Sequence, residues 1–353
     1  MPHSRVLGVV AGACALFTLS AVAAGASRPA AGGARDRQLR MNQVQVLASH
    51  NSYHLLAPVP LTGAIGLTLE YSHAPLDQQL ETQGVRSFEL DTVNPPGDEF
   101  PVLHEPNIDA ASNCSPVTQC LDVIAQWSKA HPRHVPIVVL IEPKDGELEL
   151  QLDPQLAAFD AAAVDALDAQ VRDALGKRLI TPDEVRGKAK TLRAAVTRKG
   201  WPTLAKARGR VLVAVNDRGE VRRLLLAGHP SLRDRAMFVT ADPAAPAAAV
   251  VLEDTPDEAK IRRLVEAGFI VRTRADADLV EARTGDTTRR ETALASGAQI
   301  VSTDFPVPNP TVGGDYIVQI PDGTPARCNP VNAPASCRSE DVEDPQRLAA
   351  RAR

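Results

Sequence analysis

Residues 135–143 read VPIVVLIEP. From Val135 to Ile141 the run is apolar without alternation, the pattern of a strand covered on both faces. Glu142 breaks the run, and Pro143 has no amide hydrogen to give a ladder, so the strand stops there. A helical stretch, residues 117–130, leads into it. The same unit of helix, apolar strand and charged end recurs in both directions along the chain.

Downstream, a helix at 220–227 closes on Gly228 before a strand at 236–239. A helix at 257–267 closes on Gly268 before a strand at 269–274, and one at 288–296 closes on Gly297 before a strand at 298–302. A strand at 210–215 follows a helical insertion spanning 160–208. Upstream, Pro75 opens the helix PLDQQLETQ and Gly84 stops it, ahead of a strand at 86–91. Further strands fall at 44–48 and 100–103. Eight strands separated by helices or long loops predict an α/β fold, a (β/α)8 TIM-like barrel over residues 41–320. The same rhythm also allows a doubly wound open sheet, but no G-x-G-x-x-G follows the first strand.

The 353 residues are 44% apolar and 23% charged, enough for one large core. Aromatics are only 3%, so Ala, Val and Leu must fill it. A net charge of −4, with no basic stripe or aromatic platform, argues against nucleic acid as a partner. At the N-terminus, Arg5, the apolar run 6–24 and the small residues after it read as a signal peptide over residues 1–26. A membrane anchor or a lipidated Cys14 are the competing readings. Export agrees with the other cysteines, which fall into two local pairs, Cys114 with Cys120 and Cys328 with Cys337, expected as disulfides. Free buried thiols or a metal site would be the alternative, but C-x-x-C spacing is absent. Residues 321–353 read as a disulfide-pinned extension, partly disordered at its end. Secretion or a periplasmic location follows.

Barrel enzymes carry their chemistry at the C-terminal ends of strands. Those ends hold His50 and Asn51, then Glu89 and Asp91, then His104, then Glu142 and Lys144. After them come Asn216 and Asp217, Asp242, Arg272 and Arg274, and Asp304. Glu89 and Asp91 are two apart on a strand and share a face, an arrangement that needs water or a cation. Three carboxylates and an amide at adjacent strand ends make an oxygen-rich set for a hard cation, Ca²⁺ before Mg²⁺. Such a cation with two histidines suits phosphoryl transfer. Three carboxylates exceed the charge of one divalent ion, and a substrate phosphate adds more. Lys144, Arg272 and Arg274 are candidates to offset that excess at the substrate. His54 and His73 read as structural or idle.

SHNSYH, ELD, PVLHEP and VPIVVLIEPKDG, in this order and spacing, resemble the catalytic half of phosphatidylinositol-specific phospholipases C. YSHAPLDQQLETQGVRSFELD, CSPVTQC and GWPTL are similar to the secreted, calcium-dependent bacterial branch of the PLC-like phosphodiesterases. The resemblance runs from about residue 42 to 320. It implies that His50 stabilises the phosphorane or takes the hydroxyl proton, and that His104 acts as general acid toward diacylglycerol. It also implies that Asn51, Glu89, Asp91 and Glu142 hold calcium. The metal-independent branch has an arginine near the position of Asp91, and the acid here points to the metal. The implied reaction is attack by the inositol 2-hydroxyl on its own phosphodiester, giving a cyclic inositol phosphate. The implied partner is a phospholipid met by transient contact with a membrane surface; no protein partner is evident. VSTDFP resembles glycerophosphodiester phosphodiesterases, which share the E-x-D pair but open with His-Arg where this chain has His50-Asn51. A sphingomyelinase D-like lipase and a non-catalytic, calcium-stabilised binding protein compete with these two enzymes for the same residues.

Overall fold

The structure, a computed structural model, describes residues 35–57, 63–97, 99–144 and 156–343. The signal-peptide reading and the end of the C-terminal extension lie outside the described residues. Eight parallel strands form the barrel. They are β1 (Val44–Ser49), β2 (Val85–Thr92), β3 (Ile137–Pro143), β4 (Val211–Val215), β5 (Phe238–Val239), β6 (Val250–Leu252), β7 (Ile270–Arg274) and β8 (Ile300–Thr303). Their order around the sheet is β5-β4-β3-β2-β1-β8-β7-β6. The two ends meet through one parallel bridge, Thr240 to Val250, so the ring is nearly closed.

β3 is the strand that the apolar run foretells, with every residue buried except the half-buried Glu142. β2 is buried throughout and pairs in register with β3, Asp91 facing Glu142. With few aromatics, the core is a continuous packing of Val, Leu, Ile and Ala, with Trp201 its largest fully buried side chain.

Two strand assignments need correction. Residues 100–103 form no barrel strand; Val102 makes one isolated antiparallel bridge back to Thr92. Only residues 93–99 separate that segment from β2, too few for the crossover a parallel neighbour needs, and Pro101 has no amide to donate. The missing barrel strand is β6, three residues long and preceded by the Ala- and Pro-rich stretch PAAPAAA, which gives no periodic signal.

The tail is also more engaged than an appended extension. A ninth strand, β9 (Ala326–Cys328), pairs antiparallel with the first half of β1, Val44 facing Cys328. Both disulfides are present: Cys114–Cys120 and Cys328–Cys337. Glu343 then reaches beneath the barrel to meet Arg86, at the start of β2.

Candidate active site

β1 ends at Ser49, and the hexapeptide SHNSYH (49–54) turns over the barrel mouth. The turn is pinned from two strands: the His50 amide donates to the Thr303 carbonyl (2.9 Å) and the Ser52 amide to the Glu89 carbonyl (2.9 Å). Asn51 takes a φ of 43°, a left-handed conformation that asparagine tolerates better than most side chains. His50 Nδ1 lies 2.7 Å from Asp304 Oδ1. An ionised carboxylate only accepts, so Nδ1 carries the hydrogen and Nε2 keeps its lone pair. Burial, reinforced by the charge of Arg274, lowers the His50 pKa to about 4 against the pull of Asp304. For Asp304 burial works upward, but His50 and Arg274 hold the carboxyl well below its usual range. His50 is therefore a neutral imidazole at pH 7.

His104 follows the 100–103 segment, and its Nδ1 is 3.0 Å from Asp109 Oδ2. Burial alone would lower its pKa; the nearby carboxylates of Asp109 and Asp91 raise it on balance. Asp109 is fully buried, and its pKa falls to about 2 because His104 and His54 outweigh the opposing effect of burial. Two imidazoles, each backed at Nδ1 by a carboxylate, thus shift in opposite directions.

The acids of β2 and β3 lie beside them. Glu89 and Asp91 are buried, and burial pushes both carboxyls up, Glu89 to about 7. Lys144 Nζ sits between Asp91 Oδ2 (2.8 Å) and Glu142 Oε1 (2.9 Å). Asn216 Nδ2 donates to Glu142 Oε2 (2.6 Å). Arg272, buried on β7, donates to Glu89 Oε2 (2.6 Å) and also pairs with Asp254. Arg274 reaches Asp304 Oδ2 (3.4 Å).

The donor set suits a hard divalent cation: three carboxylates and the Asn51 amide, with no sulfur among them. Asp91 Oδ1 is buried and accepts no hydrogen bond, with the buried hydroxyl of Tyr53 close to the carboxylate. Among the described residues no three His, Cys, Asp or Glu side chains converge at metal-ligand distance. The reason is visible in the geometry, since the ammonium of Lys144 occupies the space between Asp91 and Glu142. The residues fit the ion in type, and joint ligation by those two acids requires Lys144 to swing out.

The structure therefore brings His50, Asn51, Glu89, Asp91, His104, Glu142 and Lys144 to one end of the barrel. Arg272 and Arg274 are there too, already engaged with carboxylates. Sequence reasoning assigned no role to Asp304, although the residue was visible as a strand end. It set aside His54, and it missed Asp109 and Asp276. Asp276, also buried, accepts the Asp304 amide (2.9 Å) and the Thr303 hydroxyl, fixing the end of β8.

The family model described as "Phosphoinositide phospholipase C, Ca2+-dependent" matches residues 39–101 and 96–330. A solved structure of a calcium-dependent phosphoinositol-specific phospholipase C from Pseudomonas sp, in its apo form, superposes with a TM-score of 0.58 at 16% identity. That match covers 85% of this chain and 98% of the other. The Ca²⁺-dependent phosphatidylinositol-specific phospholipase C of Streptomyces antibioticus gives a TM-score of 0.55 at 20% identity, covering 80% of this chain and 99% of its own. At such identities these two structures speak for a shared fold. No curated protein matches the chain. The family match, spanning the barrel and the strand ends just described, shows that the chain belongs to the calcium-dependent phosphoinositide phospholipase C family, phosphodiesterases that cleave phosphatidylinositol.

Proposed function

We propose that the chain cleaves phosphatidylinositol by intramolecular attack, with His50 as general base and His104 as general acid. The observation that carries this reading is the pair of carboxylate-backed imidazoles shifted in opposite directions. A neutral His50 accepts a proton, and a His104 held toward its charged form gives one; environments that push two titratable groups apart mark the acid and the base. The inositol 2-hydroxyl oxygen forms a bond to phosphorus while its proton passes to His50 Nε2. The bond from phosphorus to the glycerol oxygen breaks, and that oxygen takes the proton of His104 Nε2. The products are diacylglycerol and a cyclic inositol phosphate. With the two histidines in exchanged roles, water opens the ring.

Asn51, Glu89, Asp91 and Glu142 would hold calcium, which when bound makes the 2-hydroxyl more acidic and offsets phosphate charge. Lys144, released from between Asp91 and Glu142, together with Arg274 would meet the phosphate oxygens. Among the described residues the most exposed large apolar side chains are Leu56, Leu67, Val280 and Val307. All four lie on segments that follow β1, β7 or β8 in the chain, which supports transient contact with a lipid surface on the side where those strands end. Among the described residues no helix is long and apolar enough to cross a membrane. The two disulfides support export to an oxidising compartment.

The test uses phosphatidylinositol in mixed micelles, with products followed by phosphorus NMR. Release of cyclic inositol phosphate is expected to stop with chelator and return with Ca²⁺. Calcium should also raise the unfolding temperature of the wild type and fail to do so for Asp91→Asn. His50→Ala and His104→Ala should each lower kcat by about 10²–10⁴-fold. Activity in excess chelator would overturn the metal assignment. Turnover of glycerophosphodiesters without phosphatidylinositol would transfer the chain to that activity.

A further inference from the structure

His54 is fully buried, and both of its ring nitrogens are occupied. Nδ1 lies 3.0 Å from the Tyr71 carbonyl oxygen, which can only accept. Nε2 lies 3.0 Å from each oxygen of the Asp109 carboxylate. Among the described residues the Asp109 carboxylate also meets His104, whose Nδ1 is 3.0 Å from Oδ2. Asp109 is not carried by a strand. It sits at the end of a short loop closed on itself, Asp109 and Glu105 exchanging backbone hydrogen bonds of 2.9 and 3.1 Å. The backbone therefore sets where Asp109 starts, and the imidazole of His54 sets where its carboxylate points.

His54 is itself firmly placed. Its amide donates to the Asn51 carbonyl (2.8 Å), its carbonyl accepts from the His73 amide (2.9 Å), and its ring packs on Tyr71 at 4.5 Å. Burying the Asp109 carboxylate beside an apolar side chain at position 54 would leave it one partner short, at a substantial cost. We propose that His54 is a positioning residue for proton delivery to the leaving group: it clamps Asp109, and Asp109 holds the His104 ring with its Nε2–H toward the departing oxygen. The proposal rests on the reading of His104 as general acid. It assigns the SHNSYH hexapeptide two tasks, since His50 serves the attacking oxygen and His54, four residues on, serves the leaving one.

Leaving-group chemistry separates this role from mere packing. A glycerol or alkyl alkoxide is a poor leaving group and needs the proton, whereas a phenolate departs without it. His54→Phe and His104→Ala, alone and combined, are compared on a soluble alkyl inositol phosphodiester and on an aryl one. For His54→Phe, kcat on the alkyl ester should fall about 10–100-fold with KM within about twofold, and the aryl rate should change by less than about threefold. The double variant should be no slower on the alkyl ester than His104→Ala alone. His54→Gln, whose amide can still donate to Asp109, should recover part of the loss. It also carries the test if the Phe variant does not fold. Equal slowing of both esters, or losses that multiply in the double variant, would overturn the clamp. A His104→Ala variant that slows both esters alike would remove the general acid, and the clamp with it.

Discussion

Asp109 is held between two imidazoles, and the energetics of that arrangement are open to a direct check. Its folded pKa of about 2 lies below the ordinary carboxylate value, so the folded state binds this proton less readily than the unfolded chain. By linkage the group's stabilisation is fully present above about pH 4 and is lost as pH falls through about 2. Asp109→Asn should therefore be less stable than the wild type at pH 7, and the gap should close as the pH is lowered from about 4 to about 2. Denaturant unfolding at a series of pH values measures it; a gap that stays constant across that window would contradict the assignment. The site was partly legible at this scale. Carboxylates and histidines at strand ends stand out because strands set a period, and His50, Glu89, Asp91 and Glu142 all reach the mouth; His104 reaches it too, although the segment before it is no barrel strand. Asp109 lies in a non-periodic loop, and its link to His54 spans 55 residues, so no spacing rule exposes the pair. Lys144, Arg272 and Arg274 read as free cations in the sequence, whereas the fold uses each of them to neutralise a buried acid.

The elements themselves are joined by close approaches that depend on single residues. The helix Glu258–Glu266 must end and turn at once into β7, and Gly268 makes that turn with a φ of 103°. A Cβ there would stand 2.5 Å from the Val196 carbonyl oxygen, on the helix Leu192–Arg198. The Gly268 carbonyl meanwhile accepts from the indole of the buried Trp201 (2.9 Å). Gly268→Ala combines backbone strain with a clash against a main chain that cannot step aside, and should cost about 2–4 kcal/mol. Equilibrium unfolding in urea provides the check; a variant as stable as the wild type would mean that the two helices have room to part. The strands that sequence placed well, β1 to β4, β7 and β8, have at least four residues each, long enough to show an apolar run or an alternation. β6 has three residues and lies behind an Ala- and Pro-rich loop, so its strand character comes from the neighbours that bracket it. Residues 100–103 show the opposite failure: the local pattern suits a strand, but topology forbids it a place in a parallel ring.

Across the whole molecule, stability and chemistry occupy opposite ends of the barrel. At the end away from the mouth, Arg86 and Glu343 form a buried ion pair, both at most 2% exposed. Glu343 Oε1 accepts from Arg86 Nε (2.6 Å), and Oε2 accepts from the Val135 amide (2.6 Å). The guanidinium also donates to the Leu80 and Val85 carbonyls and lies 4.9 Å from the centre of the Trp127 ring. The C-terminal segment, stapled by Cys328–Cys337 and paired to β1 through β9, thus closes the base on which β2 and β3 begin. Sequence alone could not show this, because Arg86 and Glu343 are far apart in the chain and a charged tail reads as solvated. The four exposed apolar residues proposed to meet lipid form no motif either, being scattered from position 56 to 307. Removing one partner of a buried pair strands the other's charge, so Glu343→Ala should cost about 3–5 kcal/mol. Replacing both partners with methionine, Arg86→Met with Glu343→Met, should cost much less, because no uncompensated charge is left. β2 rises about 3.3 Å per residue, which puts Glu89 about 10 Å above Arg86. Neither change should therefore alter kcat at temperatures where the fold is intact. Unfolding midpoints and rates measured on the same samples decide the matter. A Glu343→Ala variant within about 1 kcal/mol of the wild type would show that the tail does not close the base, and a fall in kcat without unfolding would show that the two ends of the barrel are coupled.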